Sequence, residues 1–186
     1  MAGFNNPNLP IGALVPVFCA NDHMRAAELT LSLAKASANT GESVLIVDCQ
    51  QGAMMRASGI NYDVTLADVL FKGADIADAK HVMAHENFTA LSCGAATLDT
   101  VLGSLAALSL DYDWVFVGTA AGCTPGHIRL AGAADKCLLA YDSSATHFMR
   151  AYWMIDACRQ RYPKFDPLLM SIGDPSEAHE TAEILT

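Results

Sequence analysis

Three short stretches of this sequence hold side chains able to do chemistry. The first, Cys19-Ala-Asn-Asp-His-Met-Arg-Ala-Ala27, packs Cys19, Asn21, Asp22, His23 and Arg25 into seven residues. The second is Asp48-Cys49, and the third runs from Gly118 and Thr119 through Cys123 to His127. A carboxylate, an imidazole and a thiol are the ingredients of a metal site, but Asp22, His23, Asp48 and Cys49 follow no standard ligand spacing. The expectation is ordinary loop polar groups and no metal. Cys123 with His127 lacks an identifiable third group for thiol–imidazole catalysis. Phosphate chemistry needs a glycine-rich loop whose amides approach the ligand, and a lysine beside it. The first stretch has no glycine, no lysine, and no Ser or Thr at its end to meet magnesium. Asp22 would repel a phosphate.

The flanking pattern says what positions these stretches. Ala13 to Cys19 reads as a strand, followed by a helix from about Asp22 to Ala38 with Met24, Leu29, Leu33 and Ala36 near one face. Gly41 ends it. Ser43-Val-Leu-Ile-Val-Asp48 is apolar on both faces, as in a strand covered by helices on both sides. Thr65 opens a short helix with Asp68 three residues on, a capping-box arrangement, and Gly73 closes it. Phe88 to Cys93 is another strand. Leu98, Val101, Leu102, Leu105 and Leu108 mark an amphipathic helix. Strands at Trp114 to Val117 and Lys136 to Tyr141 enclose a short helix from Pro125. Ser143 or Ser144 caps a long helix to about Tyr162, Leu168 to Ile172 is a last strand, and Ser176 starts a final helix. This alternation predicts an α/β fold with a mostly parallel sheet, helices on both faces, and ligands outside the carboxyl ends of the strands. Residues 1–12 read as a polar leader and 13–186 as one domain. Pro16 is an oddity, since a central strand needs its amide hydrogens.

Composition limits the function classes. Of 186 residues 52% are hydrophobic and 17% charged, which excludes disorder. Eleven Lys and Arg against twenty Asp and Glu give a net charge of −9, a poor match to nucleic acid or to an anionic membrane surface. No window approaches the roughly 20 apolar residues of a membrane span, and the start lacks the positive region of a signal peptide. Six dispersed cysteines without a Cys-x-x-Cys pair are expected to be buried, reduced thiols of a cytoplasmic protein.

From Val15 to Ile172 the chain resembles the MinD/ParA family of deviant-Walker P-loop ATPases. Leu33-Ala34, Gly41 and Val44-Leu-Ile-Val-Asp48 are similar to that family's first helix, turn and second strand. Thr65-Leu-Ala-Asp-Val-Leu70 resembles its "tLaDvL" segment, Asp111-Tyr-Asp-Trp-Val-Phe-Val117 its "YDyVliD", and Ala133-Ala-Asp135 its "aaDe". The departures cluster where nucleotide would bind. Where family members read Lys-Gly-Gly-x-Gly-Lys-Thr, this chain has Asn21-Asp-His-Met-Arg-Ala-Ala27. By that resemblance Asn21 stands for the signature lysine, Ala26 for the phosphate lysine and Ala27 for the magnesium threonine. Of the switch positions Asp48 survives, the next aspartate falls on Ala57, and the fourth strand ends in Gly118-Thr119 instead of Asp-Thr.

The resemblance therefore implies a P-loop fold that has lost ATP chemistry, a pseudo-ATPase without cofactor. Family members position division, partition, flagellar, pilus or secretion machinery. The implied role is a cytoplasmic scaffold or adaptor for a polar or envelope-associated machine, with protein partners, at most indirect membrane contact, and no nucleic acid. The alternative is a sensor or enzyme that has repurposed the crevice, rimmed by Cys19, His23, Asp48, Thr119 and Cys123. Asp22 or Asn21 is expected to cap the first helix, with His23 or Arg25 filling the phosphate space. Met54 and Met55, at the position of the first switch loop, are expected to serve a contact surface. The long helix carrying Phe148, Met149, Tyr152, Trp153 and Met154 has more large side chains than one buried stripe needs, which predicts a nucleotide-independent homodimer or heterocomplex. Family chains usually continue for another strand and helix, so Thr186 implies either a truncated chain or a lost membrane-targeting helix.

Overall fold

The computed structural model describes residues 12–83, 87–173 and Leu185. Residues 1–11 of the leader expected over 1–12, and the helix expected from Ser176 apart from Leu185, lie outside the described residues. β1 (Ala13–Cys19), α1 (His23–Ala38) and β2 (Val44–Asp48) open the chain. Three short helices follow, α2 (Ala53–Ala57), α3 (Leu66–Lys72) and α4 (Ile76–Ala79). Then come β3 (Lys80–Met83), β4 (Phe88–Ser92), α5 (Leu98–Leu108), β5 (Trp114–Ala120), α6 (Pro125–Ala133), β6 (Leu138–Tyr141), α7 (Ala145–Arg161) and β7 (Leu168–Ser171). The strands form one sheet in the order β3-β4-β2-β5-β1-β6-β7. All neighbours run parallel except β3, which lies antiparallel to β4 at the edge. The α/β architecture expected from the sequence is present.

Alternation along the central strands divides the apolar side chains between two cores. Leu14, Phe18, Leu45, Val47, Val115 and Val117 face one side, where Leu105 of α5, Leu130 of α6 and Met154 of α7 cover them. Val15, Val17, Ile46 and Phe116 face the other, beneath α1 and α2.

The register of α1 corrects an expectation. Met24 is 50% exposed, Ala36 is exposed, and Leu29 and Leu33 are only half-buried. The face against the sheet is Ala26, Ala27, Thr30, Leu31 and Ala34. Small side chains let the helix lie close to the strands, and the buried Thr30 hydroxyl donates to the Ala26 carbonyl at 2.7 Å. The buried face of α1 is set by close approach to the sheet and not by side-chain size.

Pro16 fits because of where β6 begins. Pairing of β1 with β6 starts at Val17, opposite Leu138. Amides of alternate residues point the same way, so Pro16 shares its side with Leu14, whose N–H donates to the Asp135 carboxylate at 2.9 Å. The missing hydrogen of Pro16 costs no ladder bond.

The other ends follow local chemistry. Thr65 and Asp68 form the expected capping box, and Gly73 ends α3 at φ 73°. Asp113 ties the start of β5 to that of β2, accepting from the Ser43 N–H at 2.8 Å and hydroxyl at 2.7 Å. Ser144 is the N-cap of α7, yet its hydroxyl caps nothing; instead its N–H donates to Asp142 at 2.9 Å.

Candidate functional site

The carboxyl ends of β1, β2, β4 and β5 open into a crevice of about 680 Å³, lined by His23, Cys49, Tyr62, Thr97, Thr119 and His127 among others. The chain passes from β1 to α1 in three residues, Ala20 to Asp22. No non-glycine residue there has a positive φ, and Asp22 is extended at φ −149° and ψ 175°. Its carboxylate accepts from the Arg25 N–H at 2.8 Å, and its carbonyl accepts from the Ala26 N–H at 3.1 Å. Asp22 is the cap of α1. A bound anion would seek these first-turn amides, and a carboxylate of the chain itself already holds one of them.

The rest of the loop is tied to α7. The Asn21 side chain donates to Asp142 in a short hydrogen bond. The Arg150 guanidinium donates to the carbonyls of Ala20 at 3.2 Å and Asn21 at 3.0 Å. Asp142 also meets His147 Nδ1 at 2.8 Å. Although burial opposes it, these donors hold the Asp142 carboxyl below the usual carboxylate range. Ala26 and Ala27 are wholly buried against the sheet. His23 sits exposed at the crevice wall, and Arg25 pairs at the surface with Glu28 at 3.1 Å.

Asp48 is fully buried and accepts from the N–H of Gln50 at 2.8 Å and of Met55 at 3.1 Å. It braces the turn into α2. Ala57 ends α2, exposed. Gly118 lies in β5 where a Cβ would stand 2.8 Å from the Gln50 side-chain amide, 2.8 Å from Thr30 Oγ1 and 2.9 Å from Met54 Cε. Thr119 is buried at the crevice floor. The Gln50 side chain, oriented by its neighbours, donates to the His23 carbonyl and accepts from the Thr119 N–H at 3.2 Å.

Of the five residues expected to rim one pocket, only His23 and Thr119 line the crevice. Cys19 and Asp48 point into the protein, and Cys123 is exposed elsewhere. His127 does not serve Cys123; its Nδ1 meets the Thr124 hydroxyl at 2.6 Å, and burial holds its pKa below the ordinary histidine value. Among the described residues no three His, Cys, Asp or Glu side chains converge on a metal position.

One expectation about surfaces is corrected, and another falls on side chains of mixed exposure. Met54 and Met55 are wholly buried in the core under α1, because Asp48 pulls α2 against the sheet, so neither offers a contact surface. On α7, Met154 is buried and Phe148 half-buried against Tyr141, whereas Tyr152 and Trp153 are 42% and 56% exposed.

The expectation that the cysteines would all be buried fails at Cys123, which is exposed, and it did not foresee a pair. Cys49 Sγ and Cys93 Sγ lie 2.7 Å apart at the ends of β2 and β4, and both are free thiols. Their adjacency follows from the register Asp48 opposite Ser92, which becomes visible once the two strands are known to be neighbours.

No family model matches the chain, and no curated protein sequence matches it. Solved structures do. The MinD cell division protein of Aquifex aeolicus superposes with a TM-score of 0.77 over 93% of this chain and 78% of its own, at 16% identity. The fold is MinD/ParA-like. The same protein solved as a MinC:MinD complex gives a TM-score of 0.74 over 91% of this chain and 72% of that one, also at 16% identity. The MinD/ParA-like fold extends to bacterial kinase domains. The BceF tyrosine kinase domain matches with a TM-score of 0.69 over 88% of this chain and 69% of its own, at 18% identity. Among the described residues no helix is long and apolar enough to cross a membrane.

Proposed function

We propose that this chain is a pseudo-ATPase, a MinD/ParA-like protein that works without binding or turning over nucleotide. The observation carrying this reading is the Asp22 carboxylate, seated on the α1 amide of Arg25 where an anionic ligand would sit. Three further features support it. The loop contains neither glycine nor lysine, Arg150 engages its carbonyls, and Gly118 leaves no room for a metal-binding side chain. The test is equilibrium binding and turnover of labelled ATP with magnesium. The expected result is neither binding at micromolar ATP nor hydrolysis; either one overturns the reading.

Without a nucleotide switch the remaining asset is a docking surface. The role that follows is a scaffold or adaptor in positioning or assembling a bacterial machine, such as a flagellum, pilus, secretion or division apparatus. A MinD structure determined together with MinC supports protein partners for this fold, and the net charge of −9 argues against DNA. The exposed Tyr152 and Trp153 on α7 are suited to such an interface, or to a nucleotide-independent homodimer. The setting is the cytoplasm, with recruitment to the pole or inner membrane through a partner. Affinity capture from native cells tests this, and recovery of components of one envelope machine is the expected outcome.

The open crevice of about 680 Å³ favours one second reading, a small-molecule sensor or enzyme using the same strand ends. Thermal-shift screening separates the two, because a ligand at 100 times its Kd adds about 2.7 kcal/mol of stability.

A further inference from the structure

Cys49 and Cys93 occupy the first positions beyond two neighbouring parallel strands, and the backbone fixes them opposite each other. The Cys93 N–H donates to the Asp48 carbonyl at 2.9 Å, extending the β2–β4 ladder, while the Cys49 N–H donates to the Gly118 carbonyl at 3.2 Å. Adjacent strands stand about 4.8 Å apart, inside the Cα separation that a disulfide spans without moving the backbone. The two sulfurs are in direct contact at 2.7 Å. Their environments differ. Cys93 has 1% of its surface exposed, whereas Cys49 lines the crevice beside His23, Tyr62 and Thr97.

We propose that Cys49 and Cys93 form a redox-active dithiol whose substrate is a low-molecular-weight disulfide entering the crevice. The Cys49 thiolate attacks one sulfur of the small disulfide, whose S–S bond breaks and releases one thiolate to take up a proton. Cys93 then gives up its proton and attacks the Cys49 sulfur of the mixed disulfide. The Cys49–Cys93 bond forms and the second small thiol leaves. Overall the protein dithiol loses two electrons and two protons, and the small disulfide becomes two thiols. The contact with Cys93, followed by burial, pushes the Cys49 thiol well above its ordinary pKa. The first step is therefore slow at neutral pH and accelerates as the pH rises. The new bond ties the turn that Asp48 braces to the turn entering α5, along one wall of the crevice. This chemistry is independent of any role for nucleotide.

The test uses the full reduced chain incubated with oxidised glutathione at pH 8, then alkylated and mapped by mass spectrometry. Two of the six thiols should disappear, with loss of two hydrogens in mass and one peptide pair joining Cys49 to Cys93. Dithiothreitol should restore both. C93S should trap one glutathione on Cys49, and C49S should slow thiol loss at position 93 about tenfold or more. Modification of Cys123 without a Cys49–Cys93 link overturns the proposal, as does a C49S chain that reacts like the parent. Mapping of the parent chain needs no substitution, so the presence or absence of the link is read even where a variant fails to fold.

Discussion

The guanidinium of Arg150, on the helix after β6, donates to the carbonyl of Asn21 at 3.0 Å across the top of the sheet. The Ala20 carbonyl accepts from the same nitrogen at 3.2 Å. The β1–α1 turn thus presents carbonyl oxygens to a cation on its own chain. A loop that cradles phosphate does the reverse, turning successive amides toward an anion. The side chain of Asn21 adds a second stitch to the start of α7 through Asp142.

Removing the guanidinium tests that stitch. R150A is expected to cost about 1 kcal/mol, since charge-assisted bonds to carbonyls are partly offset by solvent at this exposed site. R150K, with one ammonium for two carbonyls, should cost less. Urea unfolding of the three chains measures the order.

The cap at Asp22 makes a sharper comparison. D22A leaves the Arg25 amide without a partner and should destabilise the fold by about 1 kcal/mol, while D22N and D22S should recover most of it. Thermal melts in low-phosphate buffer read the series. Equal stability of D22A and the parent chain would remove Asp22 from the account of the loop.

Gly118 stands where the resemblance to MinD/ParA proteins places an aspartate. Its surroundings are closed by Gln50, Thr30 and Met54 within 2.9 Å of a Cβ. G118A is expected to cost about 1–3 kcal/mol through overpacking. G118D also buries a carboxylate and should fold poorly or not at all. Circular dichroism and thermal melts of the two variants check the order.

His127 carries a pH dependence. Burial holds its folded pKa below the ordinary value of 6.5, so at mildly acidic pH the unfolded chain binds a proton that the folded chain refuses. Its contribution is complete above about 6.5 and is lost as the pH falls below that value toward the folded pKa. H127N, whose side-chain oxygen accepts from the Thr124 hydroxyl in place of Nδ1, should flatten this part of the curve. Unfolding midpoints at pH 7.5, 6.5 and 5.5 measure the difference.

Much of the framework was legible because its signals are local. The Thr65–Asp68 box, Gly73, and the leucine stripe from Leu98 to Leu108 lie where the sequence places them. Motif aspartates turned out to hold the fold together: Asp113 pins Ser43 and Asp135 satisfies Leu14. What stayed hidden depends on residues far apart in the chain. The alanine face of α1 is buried because of how closely the sheet approaches, which side-chain size alone does not report. The short α2 and α4 and the antiparallel β3 are too brief for a period to emerge. Met54 and Met55 resemble switch-loop residues in sequence, but the Asp48 carboxylate draws them under the sheet. The Cys49–Cys93 contact needed a strand order that no spacing encodes.

That strand order also has a consequence in time. The central strand β1 finds its partners in β5 and β6, with Ala13 opposite Trp114 and Val17 opposite Leu138. Both are long loop closures, which slow the search for native pairing. At roughly 5–20 residues per second of synthesis, the first strand waits several seconds before β5 exists. During that interval Val15 and Val17 have α1 as a nearby cover, while Phe18, on the opposite face, waits for α5, α6 and α7. The nascent chain is accordingly most exposed to chaperones and to aggregation until β5 has emerged, well before the crevice at the strand ends has walls.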